Sequence, residues 1–113
     1  VGNNVRSSKA KGRRLQNFVR DRLRDLFTSL EPDDIKSQTM GMNGEDIVLS
    51  PAARKQIPYS IECKNVEKLN IWSALKQAEE NANDMTPAVI FKRNHSDTYV
   101  TIPFEHFIEL IGD

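Results

Sequence analysis

Ser60-Ile61-Glu62-Cys63-Lys64-Asn65 is the stretch on which the fold turns. Side chains alternate along a strand, so Ile61 and Cys63 point to one face and Glu62 and Lys64 to the other. The first pair suits a core. The second sets an acid beside a base, as either an ordinary cross-strand ion pair or half of an active site.

The chain has 113 residues, 38% of them apolar and 28% charged, with five glycines and five prolines. That suits one globular domain with one principal core. No run of about eighteen apolar residues occurs, and the first residues lack a signal-peptide pattern, so neither a membrane span nor a leader is expected. A single cysteine excludes an internal disulfide framework and a cysteine-rich zinc site. It fits a reducing, cytoplasmic compartment. The net charge is zero, yet eight cations (Arg6, Lys9, Lys11, Arg13, Arg14, Arg20, Arg22 and Arg24) crowd one segment opposed only by Asp21. Such a block can follow a phosphate backbone or simply form a solvated helix face.

Outward from SIECKN, the periodicity separates the elements. Residues 1–8 read as a flexible arm and 9–113 as the domain. From about Ser8 to Leu30, Leu15, Phe18, Val19, Leu23, Leu26, Phe27 and Leu30 form the apolar stripe of a helix, with Gln16 at its edge. Pro32 ends it and opens an irregular stretch. Ile47 and Leu49 share one face of a short strand, with Asp46 and Val48 on the other. Pro51–Gln56 reads as a connection, and Ile57–Lys64 as the next strand. So short a link predicts antiparallel neighbours, which would place Asp46 across from Glu62. Asn70 is the expected N-cap of a helix over Ile71–Ala82 with Ile71, Leu75, Ala78 and Ala82 inward. Ala88–Phe91 suits a strand buried on both faces, and Thr98–Ile102 another strand. Pro103 opens a final short helix carrying Phe107, Ile108 and Ile111.

Two carboxylates about 4 Å apart repel by a few kcal/mol at a surface-like dielectric. A divalent cation removes that repulsion, and oxygen ligands favour Mg²⁺ or Mn²⁺ over zinc. The ion would polarise a phosphoryl oxygen and acidify water, as phosphodiester hydrolysis requires. Lys64 could orient the water or offset the developing charge.

Gly44-Glu45-Asp46-Ile47-Val48 followed by Ser60–Asn65 resembles the PD-(D/E)XK nuclease core. Asp46 matches its first acid, and Glu62-x-Lys64 its (D/E)XK part. Lys11–Gln16 resembles the first helix of archaeal Holliday junction resolvases and related phage nucleases, and Trp72–Ala78 the Gln-bearing second helix. The resemblance spans about Lys11 to Phe91. It implies an α/β, restriction-endonuclease-like core of αβββαβ type, with a central mixed sheet flanked by helices. It also implies Mg²⁺ or Mn²⁺ on Asp46, Glu62 and the Cys63 carbonyl, with Lys64 acting on water or charge. Gln77 would contact phosphate or support the site. Where the family has a catalytic glutamate four residues after the glycine, Gln16 follows Gly12, and an amide attracts a second cation less strongly.

The resulting expectation is a metal-dependent DNA endonuclease resembling junction resolvases, with Lys11, Arg13, Arg14 and Arg20 on the backbone. Cutting two strands symmetrically would need a homodimer. A nuclease of the same fold acting on linear duplex and a non-catalytic DNA-binding module are the alternatives. Glu45 should face away from Asp46, Trp72 should pack, Cys63 should face the core, and His95 and His106 should lie on the surface.

Overall fold

A computed structural model describes residues 3–39 and 41–113, with side chains from Ser7 onward. Its first element, α1, runs Asn3–Leu26. Residues 3–8 therefore continue the helix where an arm was expected. Val1, Gly2 and the Arg6 side chain lie outside the described residues. The helix stops at Leu26, short of the expected Leu30, although Phe27 and Leu30 still pack on the core. A 3-10 turn at Pro32–Asp34 leads into β1, Ile35–Ser37, where the sequence reading had only irregular chain.

Strand β1 pairs antiparallel with β2, Ile47–Leu49, matching Ile35 to Leu49 and Ser37 to Ile47. The supposed connection Pro51–Gln56 is a helix, α2. Its start was written in the sequence: the Ser50 hydroxyl accepts from the Ala53 N–H at 3.1 Å, and Pro51 occupies the first helical position. Strand β3, Tyr59–Asn65, pairs parallel with β4, Thr86–Lys92, which pairs antiparallel with β5, Tyr99–Thr101. Helix α3, Ile71–Ala82, makes the crossover between β3 and β4. The expected antiparallel pairing of β2 with β3 does not form, because α2 redirects the chain between them and β1 takes β2 as its partner. The architecture is α/β, with a mixed three-stranded sheet flanked by helices.

Two apolar layers clamp the sheet. Leu15 and Val19 of α1 bury against Ile35, Ile47, Leu49, Ile57, Ile61 and Cys63. On the opposite face Ala74 and Ala78 of α3 meet Val89. Alanines there let the helix backbone approach the strands closely. Asn70 caps α3 by accepting from the Ser73 N–H at 3.1 Å. Helix α4, Phe104–Gly112, is anchored by His106 Nε2 against the Tyr59 hydroxyl at 2.5 Å. His106 is thus half-buried and partnered, in contrast to the surface expectation, while His95 is exposed. Trp72 also departs from expectation: it is 78% exposed, because the α3 face packed on the sheet is carried by Ala74 and Ala78. Among the described residues no helix is long and apolar enough to cross a membrane.

Ala78 has no exposed surface. Ala78→Leu should therefore destabilise the fold by about 1–3 kcal/mol through overpacking. Exposed Glu80→Ala on the same helix should stay within about 0.5 kcal/mol. Urea denaturation of both variants checks this.

Candidate active site

Gly44, with φ +103°, turns the chain just before Asp46. Asp46 then meets β3 through two hydrogen bonds. Its N–H donates to the Ile61 carbonyl at 2.9 Å, and its Oδ2 accepts from the Cys63 N–H at 2.7 Å. These bonds bracket Glu62 and bring the two acids together without a strand ladder. Glu45 turns to Arg54, 3.5 Å away, as expected of a residue outside the site.

Glu62 is fully buried, at 0% exposure, on the α3 side of the sheet beside Val89. Its Oε1 accepts from Asn81 Nδ2 at 2.9 Å, while Oε2 has no hydrogen-bond partner. Burial, and after it the negative charge of Asp46, pushes the Glu62 carboxyl from 4.5 up to about 7; the Asn81 bond and the Lys64 charge oppose this. The same burial, reinforced by both carboxylates, pushes the Cys63 thiol up, so it stays protonated and packs in the core.

A pocket of about 200 Å³ opens on Asp46, just before β2, on Cys63 and Lys64 from β3 and on Gly12 and Gln16 from α1. Gln16 is itself buried. The pocket thus gathers Gln16, Asp46, Cys63 and Lys64, and Glu62 lies buried beside Asp46 without lining it. It does not bring in Gln77, which is exposed and has no side-chain hydrogen bond among those of the described residues. Asn81, one helical turn further along α3, is the residue that reaches Glu62. The i, i+4 relation to Gln77 was visible in the sequence, but the choice between the two depends on how α3 is rotated on the sheet.

Of the four expected DNA-contacting cations, Arg13 and Arg14 are exposed and Lys11 is half-buried. Arg20 is engaged within the fold, donating to Asp21 at 2.9 Å and Asn17 at 3.2 Å. Arg24, another of the basic block, donates to the Ile35 carbonyl at 2.9 Å and ties α1 to β1.

The orphaned Glu62 oxygen, its neighbour Asp46 and the raised Glu62 pKa fit a site that could hold a divalent cation. No cluster of three or more His, Cys, Asp or Glu with ligand geometry occurs among the described residues. Two carboxylates plus amide or carbonyl oxygens and water are a donor set for a hard divalent cation.

Because folded Glu62 holds its proton more tightly than the unfolded chain does, this group supports folding fully below about pH 4.5. That support disappears as pH rises through about 7. In chelator, the stability of Glu62→Gln relative to the native chain should therefore rise between pH 5 and 8, by on the order of 1–3 kcal/mol. Urea denaturation across that range measures it. Identical pH dependence in the two proteins would remove Glu62 as the source.

No curated protein and no solved structure matches the chain. Residues 7–112, however, match the family described as "Phage putative PDDEXK endonuclease". That span takes in α1 from Ser7 onward, both acids, Lys64 and α3. The chain belongs to this phage PDDEXK endonuclease family.

Proposed function

We propose that the protein is a divalent-metal-dependent endonuclease that hydrolyses DNA phosphodiester bonds at the Asp46–Glu62–Lys64 site. The observation that carries this reading is the fully buried Glu62, with one oxygen held by Asn81 and the other unpartnered next to Asp46. A structural ion pair would leave no such oxygen. Asp46 and Glu62, with the Cys63 carbonyl, are the residues that would hold Mg²⁺ or Mn²⁺. When bound, the cation supplies Lewis acidity toward a phosphoryl oxygen and lowers the pKa of water.

The protein's own groups do the rest. The Cys63 N–H fixes the Asp46 carboxylate, and Asn81 fixes that of Glu62. Lys64, at the pocket wall, offsets the charge that develops on the phosphoryl oxygens. Gln16 brings an amide to the same pocket, able to donate to phosphate or accept from water. It adds no negative charge, which favours one cation over two. Arg13 and Arg14 are free to follow the DNA backbone, with Lys11 beside them. A junction-resolving role, with two copies cutting two strands, is the finer form of this reading and rests on the likeness of the first helix.

Lys64→Ala and Asp46→Asn should each lower Mg²⁺-dependent cleavage of plasmid and branched DNA by roughly 10²-fold or more. DNA affinity in chelator should stay within a few-fold. Cleavage by both variants at the native rate would end this reading. Asn81→Ala should weaken Mn²⁺ binding about tenfold, read by calorimetric titration without DNA. An unchanged affinity would reduce Asn81 to a packing residue.

A further inference from the structure

Turned away from Gln16 around α1, a second groove of about 350 Å³ is lined by Arg14, Leu15, Phe18, Asn65, Lys92 and Thr98. Arg14 and Phe18 stand at i and i+4 and so share one face of the helix. Phe18 is 51% exposed, although an apolar residue in this stripe would ordinarily be buried. Asn65 and Lys92 are partners in the β3–β4 register. The Asn65 amide faces the Lys11 carbonyl, and the neighbouring Gly12 lines the pocket of the candidate active site, so the two sites adjoin along α1.

The chemistry of the lining is selective. Neither Arg14 nor Lys92 forms an ion pair among the described residues, and no carboxylate lines the groove. The Asn65 amide makes only a long contact, 3.5 Å, to the Lys11 carbonyl, and its Oδ1 is buried without a partner. Two unpaired cations flanking a half-exposed aromatic ring match the needs of a nucleotide. Cations take its phosphates, and the ring takes the face of its base. The volume lies in the range of small-molecule sites. A base inside a duplex has both faces stacked and cannot lie on Phe18, whereas an unpaired base can.

We propose that this groove receives one unpaired nucleotide adjoining the cleavage point, with its base on the Phe18 ring and its phosphates between Arg14 and Lys92. The inference rests on the nuclease reading and deepens it, since it makes the substrate a DNA with a displaced strand, such as a flap or an opened branch.

The test compares binding of the full chain, in chelator so that nothing is cut, to a fluorescent duplex and to the same duplex with a short unpaired flap. The native protein should favour the flap by roughly tenfold, the scale of one base–aromatic stack. Phe18→Ala should collapse that ratio toward one, and Phe18→Tyr should retain it, which separates stacking from a folding defect. Arg14→Gln and Lys92→Gln should each weaken binding and flatten its salt dependence. Equal native affinity for the two DNAs, or a ratio untouched by Phe18→Ala, overturns the proposal. Cleavage in Mg²⁺ is scored separately. Cutting without a Phe18-dependent ratio defeats the groove alone. A Phe18-dependent ratio without cutting defeats the catalytic reading and leaves the groove as a nucleic-acid site.

Discussion

The structure depends on Asp46 being held from both directions. Its N–H donates to Ile61, its side chain accepts from Cys63, and its carbonyl accepts from the Gln38 N–H at 2.8 Å. The β1–β2 hairpin and the three-stranded sheet share no ladder, so these bonds dock one on the other. A residue fixed at three points cannot swing aside to relieve repulsion from a neighbouring carboxylate. The acid that could serve a metal is therefore also the joint of the fold, and the proximity of the two carboxylates is imposed by the backbone.

That constraint makes Glu62 expensive. A carboxyl with no exposure and one unsatisfied oxygen costs about 1–3 kcal/mol even when neutral, and more when ionised. The cost is offset by the apolar layers on the two sides of the sheet, anchored by Leu15, Val19, Ile47 and Ile61 on one side and Ala78 and Val89 on the other. Asn81 offsets only part of it, since it satisfies a single oxygen. Among the described residues Glu62 is the buried carboxyl that breaks the local rules of burial, as a preorganised charge site does. The remaining buried polar atoms without partners, Ser60 Oγ and Asn65 Oδ1, lie on the same strand. Strand β3 thus concentrates the unmet polar capacity among the described residues.

Much of this was legible from residue patterns because alternation and helical spacing are local properties. Ile61 and Cys63 entered the core as their spacing required. Helix α3 begins and ends where its cap and stripe placed it. Helix α2 lies where Pro51–Gln56 reads as a connection although Ser50-Pro51 marks its start, because so short a link has no room for an apolar stripe. Strand β1 was missed because three residues carry too little periodicity to stand out. The outward Trp72 and the tie from His106 to Tyr59 had no local signal, since each depends on what lies across a packing interface. At the site, Asp46, Glu62 and Lys64 could be named from spacing and resemblance, while Asn81 could not.

By itself, the sequence determined the α/β alternation, the two faces of SIECKN and the candidate acids, because strand and helix periods assign side chains to faces without any knowledge of partners. Only the tertiary structure decided that Asp46 reaches β3 by two hydrogen bonds rather than by strand pairing. It alone selected Asn81 over Gln77 and left Arg14, Phe18 and Lys92 around one groove. Those outcomes depend on the rotation and depth at which α1 and α3 settle on the sheet. That settling is fixed by the small and large side chains packed between them, which no single segment carries.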